Sequence, residues 1–401
     1  MNDDVAVIGA GPAGAWAAYT LARRGARVTL IDASHPREKP CGGGVTSRAL
    51  ALVRGAIDVS QLPARAIRSA RFLDSVRDAS AVVDLAEIDG IPRSDATPGL
   101  VVASRADFDG RLVGAAREAG VELLAARVTD IVDDNRGFRI ETTGGSRRVS
   151  RVIGADGANS LVRRRLARPF GRHQLSIATG YFARGVTSTE IVIELIADPP
   201  GYIWSFPRPN HLAIGICAQS DAGVTAATLR ARALAWINRT TIAPGARLDA
   251  YSWPIPSLAA CDFDSLVIGG RGWCLAGDAA GLVDPITREG IFFALLSGQW
   301  AADALASDDA AAEARYAERV RDEIGSELAR AARFKAGFFR PRFARLMIDA
   351  LGHSEPIRNV MADLVAGRQS YEGLKWRLAR TLEVGLAWRL LVSARSTRSG
   401  A

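Results

Sequence analysis

Apolar residues open the chain in short blocks. VAVI at 5–8 predicts a buried strand, the alanine-rich stretch 12–24 a helix, and VTLID at 28–32 a second strand. Together they make a β-α-β unit at the N-terminus. Helical spacing returns over ADFDGRLVGAAREA, 106–119, with Asp107 as its expected cap. RVIGAD at 151–156, SLVIGG at 265–270 and WCLAGDAA at 273–280 predict further core strands running into loops. A different rhythm fills the intervals: residues 65–84 and 174–218 carry period-two and apolar strand patterns, including IVIEL, YIWSFP and HLAIGICA. A helix over 224–238 and the segment YSWPIP at 251–256 follow. Helical patterns dominate from about 305 to 380, broken near Pro341 and Gly352.

The expected architecture is α/β plus an antiparallel substrate domain. Segments 1–60, 98–165 and 262–304 form a discontinuous Rossmann-like domain, 61–97 and 166–261 an inserted β-sheet domain, and 305–401 a C-terminal helical region. A chain of 401 residues exceeds what one core usually organises, which agrees with this division. The net charge of +8 comes mainly from arginine, since lysine occurs only at Lys39, Lys335 and Lys375. Such a balance attracts acidic ligands or an anionic membrane surface, or reflects arginine-rich composition alone. No arginine-aromatic run points to nucleic acid. Cys41, Cys217, Cys261 and Cys274 form no CxxC pair and no metal-ligand spacing, so no metal is expected. The acidic opening has no basic leader and no window is long and apolar enough to span a bilayer. A cytoplasmic location is the expectation, with peripheral membrane contact open through the apolar tail LEVGLAWRLLVSA, 382–394.

Candidate chemistry begins at GAGPAG, 9–14, between the first strand and the helix. Gly9 suits the turn, Gly11 close approach of a pyrophosphate, and Gly14 helix-strand packing. The helix N-terminus then offers unpaired N–H groups to a diphosphate. Asp32 ends the second strand, where a carboxylate can accept hydrogen bonds from a ribose diol; it can also be a strand-end surface residue. Two distant segments sharpen this reading: GADGANSLVRR at 154–164, and WCLAGDAAGLVDPITREGI at 273–291 with Asp278 after a strand. A single nicotinamide domain needs no second and third signature, whereas a flavin dinucleotide held across a discontinuous domain does.

This arrangement resembles the para-hydroxybenzoate hydroxylase fold group of flavoproteins. The resemblance implies non-covalent FAD, with Asp278 near the ribityl or pyrophosphate region and the loop through Pro285 and Gly290 along the isoalloxazine. It also implies a cofactor contact for Arg105. Within the group, P-x-x-K-x-C-G-G-G, ending at Cys41–Gly44, is similar to a motif of the geranylgeranyl reductase family. GYIWSFPRPNHLAIGI at 201–216, DPITREGI at 284–291 and LVAGRQSYEGLKWRL at 364–378 strengthen that likeness. Members use FAD, reduced by NADPH, NADH or another donor, to saturate carbon-carbon double bonds in prenyl chains. On this resemblance Gly42, Gly43 and Gly44 let backbone approach the flavin edge, and Cys41 lies near the reacting alkene.

Cys41 then has two readings, a thiol that donates a proton and a small apolar group packed against cofactor. Tyr202, Trp204 and Phe206 alternate, so they share one face of a strand, as core or as the wall of an apolar cavity with Trp253. Thr287, Glu289 and Gly290 match the reductase pattern Thr-x-Glu-Gly, and Glu289 joins Cys41, Tyr202 and Trp204 as a candidate catalytic residue. Arg288 departs from the glycine most usual before that glutamate; its side chain narrows the flavin approach, binds an acidic substrate group or turns to solvent. The expected activity is reduction of an apolar alkene. A flavin-dependent monooxygenase is the main alternative; a halogenase has only Lys39 for its lysine, and a non-enzymatic flavin protein needs no turnover at all. The expected partner is a hydrophobic small molecule, with an anionic group permitted by the arginines.

Overall fold

The structure, a computed structural model, describes residues 4–85, 87, 88, 91, 92, 99–134 and 136–381. The tail segment 382–394 lies outside the described residues.

The valine- and isoleucine-rich blocks build the first sheet. Its six strands run in the order Glu122–Leu124, Arg27–Ile31, Asp4–Ile8, Arg151–Gly154, Trp273–Leu275 and Gly269–Gly270. All neighbours are parallel except the last pair, a short hairpin. Val5–Ile8 are buried on both faces, which is why this strand reads as an unbroken apolar run. Helix Pro12–Arg23 follows Gly11 and begins with proline, whose fixed φ suits a first helical turn. SLVIGG contributes only Gly269–Gly270, less than the sequence suggests. Helix Arg105–Glu118 starts two residues before Asp107 because Ser104 caps it, its hydroxyl accepting the Asp107 N–H at 3.4 Å.

A second sheet has seven strands in the order Arg247–Pro256, Leu175–Arg184, His211–Gln219, Pro200–Pro207, Glu190–Ala197, Ser69–Asp74 and Ala79–Asp84. One pair, Glu190–Ala197 with Ser69–Asp74, is parallel; the rest are antiparallel. Helix Ala226–Thr240 covers one face, where Trp236 is fully buried and donates its indole N–H to Glu194 at 2.7 Å. C-terminal helices Pro341–His353 and Glu355–Val365 close the other side through Met347, Ile348, Leu351 and Ile357. A small sheet of Gly44–Thr46, Leu100–Ala103 and Ala64–Ala66 joins the two layers. The three-stranded antiparallel unit Val128–Asp133, Phe138–Thr142 and Gly145–Val149 was not expected from the pattern, because its outward positions are charged and its apolar ones few. No helix among the described residues is long and apolar enough to cross a membrane.

Candidate active site

The glycine turn after the first strand is fixed by the protein itself. Gly9 has φ +98°, and a Cβ there would lie 2.4 Å from the Ala155 carbonyl oxygen; at Gly14 it would lie 1.8 Å from the Gly9 oxygen. Gly11 differs, because the nearest atom to a Cβ there is His35 Nε2 at 3.8 Å. Space is therefore kept open ahead of helix Pro12–Arg23, whose N-terminus no side chain caps. That is the geometry of a diphosphate cradle.

Asp32 sits beside this cradle. One of its oxygens accepts the Ala10 N–H at 2.9 Å, and the other accepts the Ser34 and His35 N–H groups at 2.7 and 2.9 Å. His35 Nδ1 lies 2.9 Å from Asp32 and its Nε2 lies 3.5 Å from buried Asp109. Asp109 in turn holds Arg105 in a two-pronged pair at 2.9 and 2.7 Å. Burial opposes ionisation of Asp32, but His35 and the backbone donors outweigh it and hold the carboxyl well below its usual range. Arg105 borders the cavity described below, yet its guanidinium is committed to Asp109. His35 and Asp109 were missed: the sequence signals were a histidine three residues after the strand-end aspartate and an aspartate four after Arg105.

Burial also pushes His35 down, and its hydrogen bonds and attraction to Asp109 and Asp32 more than reverse this, leaving its pKa raised. The protonated imidazole is then favoured by folding. Its stabilisation is complete below the ordinary value of about 6.5 and is lost as pH rises through the raised folded value. The stability gap between wild type and His35→Gln should therefore be widest below about pH 6.5 and shrink above it. Denaturation curves across pH test this; a constant gap contradicts it.

The second glycine-rich region gathers two distant strand ends. Lys39 pairs with Asp278 at 2.9 Å, the latter placed after strand Trp273–Leu275. Buried Asp284 folds the next loop by accepting the N–H groups of Ile286 and Thr287 at 2.7 and 2.9 Å, and Tyr371 from the C-terminal region donates its hydroxyl to it at 2.9 Å. Pro285 is buried in that loop and Gly290 leads into helix Ile291–Leu305, again without a side-chain cap. Glu289 accepts the Thr46 hydroxyl at 2.8 Å and pairs with Arg48, whose guanidinium lies 4.0 Å over Phe292. These contacts anchor the loop to strand Gly44–Thr46 and hold the carboxylate of Glu289, the candidate catalytic residue, at the cavity.

The Cys41–Gly44 loop is likewise held close by the protein. A Cβ at Gly42 would lie 3.1 Å from the Phe206 ring, and one at Gly43, where φ is +85°, only 2.4 Å from the Ala103 oxygen. The glycines let the loop lie against protein, whatever cofactor it also meets. Cys41 Sγ accepts the Gly43 N–H at 3.3 Å, and its carbonyl accepts a 2.6 Å bond from Arg208. Arg208 is fully buried and pairs with Glu38, which also accepts the Ser104 hydroxyl at 2.6 Å. It ties the cysteine loop to the end of strand Pro200–Pro207, a role the sequence did not suggest.

Tyr202, Trp204 and Phe206 do share a face, and together with Trp253 they line a cavity of about 210 Å³. Lys39–Gly44, Asp278 and Thr287–Gly290 border one part of it; Ile191, Ile193, Leu195, Phe338, Met361 and Val365 border another. Tyr202 and Trp204 rings stand 5.3 Å apart, and Trp204 fits because its strand partner is Gly215. The Tyr202 hydroxyl donates to the Thr287 carbonyl at 3.3 Å, and burial raises its pKa so that it stays protonated. The indole N–H groups of Trp204 and Trp253 are buried without a hydrogen-bond partner.

Comparison with known proteins decides the assignment. Residues 2–295 match the FAD binding domain family. The geranylgeranyl diphosphate reductase of Rhodobacter capsulatus is 31% identical over 317 residues, 76% of this chain and 75% of that one. The menaquinone reductase of Mycobacterium tuberculosis is 30% identical over 369 residues, 85% of each chain. This chain belongs to the geranylgeranyl reductase family of FAD-dependent oxidoreductases. A geranylgeranyl bacteriochlorophyll reductase-like protein from Thermoplasma acidophilum has the same fold, with TM-score 0.76 at 22% identity over 94% of this chain and 99% of that chain.

As a member of this flavoprotein family the enzyme uses FAD, and its residues fit that group. Open space at Gly11 and the uncapped helix receive a diphosphate, and Asp32 is held as an anion at the strand end. The cavity bordered by Cys41–Gly44 and Thr287–Gly290 has an aromatic and aliphatic wall suited to a flavin ring. The discontinuous Rossmann-like domain, mixed sheets and C-terminal helices are those of the para-hydroxybenzoate hydroxylase fold group.

Proposed function

We propose that this enzyme saturates carbon-carbon double bonds of an apolar, prenyl-type substrate, drawing electrons from NADPH or NADH. The observation that carries the reading is one cavity bordered by both the cysteine loop and a wall of aliphatic and aromatic side chains. Its relatives named as geranylgeranyl diphosphate and menaquinone reductases support the same chemistry. FAD, once bound and reduced, supplies a hydride to one alkene carbon.

The chain's own residues do the rest. Ile191, Ile193, Leu195, Met361 and Val365 receive the hydrocarbon and keep water away from it. Tyr202 and Trp204 hold the chain against the cofactor loops, Tyr202 through its bond to Thr287. Cys41, half-buried at the cavity edge, gives its Sγ proton to the second carbon; the thiolate is then reprotonated from solvent. Hydride and proton together convert C=C into CH–CH.

Cys41→Ala should lower turnover by about 10²- to 10⁴-fold, the usual contribution of a placed proton donor. Cys41→Ser, which keeps a proton-bearing group, should lose less, and both should keep the wild-type flavin spectrum. Steady-state rates of prenyl alkene reduction under nitrogen check this. Equal turnover by all three proteins would leave Cys41 without a chemical role.

A further inference from the structure

The loop from Asp284 to Glu289 borders the cavity in a conformation that its surroundings must hold. Arg288 sits at φ +60°, a region that side chains rarely adopt, and its guanidinium donates to Ser257 and Ser176 at 2.7 and 3.0 Å. Such backbone persists only where neighbouring contacts over-determine it. Two tyrosines supply part of that restraint. Tyr202 reaches the loop from the seven-stranded sheet, through the Thr287 carbonyl. Tyr371 reaches it from the C-terminal region and is not among the residues that line the cavity.

Asp284 depends on the second tyrosine. Its carboxylate is buried, Oδ1 accepts the Ile286 and Thr287 N–H groups, and Oδ2 accepts the Tyr371 hydroxyl at 2.9 Å. Among the described residues no cation pairs with Asp284, and Tyr371 is the one side chain that donates to it. A carboxylate taken out of water needs such donors. Burial, and then the charge of Asp284, raise the tyrosine's pKa well above its ordinary value, which keeps the phenol protonated and donating.

The segment that carries Tyr371 also walls the cavity. Helix Glu355–Val365 contributes Met361, Leu364 and Val365 to the lining. Just beyond it, Gly367 has φ +70°, and a Cβ there would lie 3.0 Å from Arg48 Nε and 3.2 Å from Glu289 Oε2. The chain from 364 to 371 therefore packs along the wall for the hydrocarbon, then against Glu289, then against Asp284. It is pinned by Arg368, which pairs with Asp363 at 2.7 Å, and by the Tyr371 N–H, which donates to Glu327. We infer that Tyr371 is a positioning residue for the reaction: its hydroxyl, through Asp284, sets the Thr287–Gly290 edge of the cavity against the wall that receives the alkene. The inference rests on the cavity being the site of alkene reduction.

Tyr371→Phe removes the hydroxyl and keeps the ring. In the FAD-loaded enzyme, hydrogen exchange at the Ile286 and Thr287 amides should become at least about fivefold faster, with helix Arg105–Glu118 unchanged. Under nitrogen, kcat for a prenyl alkene should fall about 10- to 100-fold, the effect of a small displacement in a reacting geometry. KM should stay within about threefold, because the apolar wall is intact. Phe334→Leu is the control for packing. The Phe334 ring stacks on Tyr371 with centroids 6.4 Å apart but lies outside the cavity lining, so this variant should keep kcat within about twofold even where it melts earlier. Wild-type kcat in Tyr371→Phe overturns the inference, whatever the exchange rates. So does an equal fall of kcat in Phe334→Leu, which would make Tyr371 a packing residue only. Unchanged exchange at both amides overturns it as well. Wild type that reduces no alkene under nitrogen sinks the reductase reading instead, and exchange at Ile286 and Thr287 still decides whether Tyr371 holds the loop.

Discussion

Arg208→Met is expected to cost about 3 kcal/mol of stability and to free the cysteine loop. The guanidinium is fully buried, pairs with Glu38 and bonds the Cys41 carbonyl, so its removal strands a carboxylate and a carbonyl together. Methionine fills much of the volume, which makes the loss electrostatic more than a matter of packing. Arg208→Lys restores the charge but not the fork, and should recover only part of the stability. Urea denaturation measures the first effect. The second is read by mapping alkylation at Cys41, whose thiol should react several-fold faster in the methionine variant. Unchanged stability and unchanged labelling would show that this arginine neither holds the loop nor supports the fold.

Gly43→Ala should be about as damaging, for a different reason. The added methyl would approach the Ala103 oxygen to 2.4 Å in backbone already at φ +85°, and strain plus clash should cost about 3 kcal/mol. Gly11→Ala supplies the contrast. Its methyl would meet no protein atom nearer than 3.8 Å, so the protein without cofactor should keep its stability while FAD affinity drops at least about tenfold. Melting curves of the apoproteins and FAD titrations separate the two. Equal losses of stability at both positions would mean that Gly11 is a packing glycine and the space above it is not a ligand site.

The parts of this enzyme legible in its sequence are those where a short segment carries its own geometry. GAGPAG, Asp32 and the loop after Asp278 each combine strand end, turn and helix start within a few residues, and the alternation in YIWSFP fixed which aromatics share a face. What escaped were partners far apart in the chain. Arg208 and Glu38 lie 170 positions apart, and only the docking of the seven-stranded sheet on the cysteine loop makes them a pair. Glu289 stood out through its local Thr-x-Glu-Gly pattern, whereas Thr46 and Arg48, which hold its carboxylate, come from an element whose position no local signal revealed. At Gly42–Gly44, expected to let the backbone approach the flavin edge, the atoms that come close include Phe206 and Ala103 of the protein itself.

The direction of the chemistry is what the account most depends on, and oxygen divides the possibilities. The chemically reduced, FAD-loaded enzyme should be incubated with a pool of prenyl and quinone-type ligands, with and without oxygen, and the products weighed by mass spectrometry. A ligand gaining two hydrogens under nitrogen, from an enzyme whose Cys41→Ala variant yields much less of the same product, is the result expected of an alkene reductase. Gain of a single oxygen atom only when oxygen is present, with no ligand gaining two hydrogens in its absence, would contradict it.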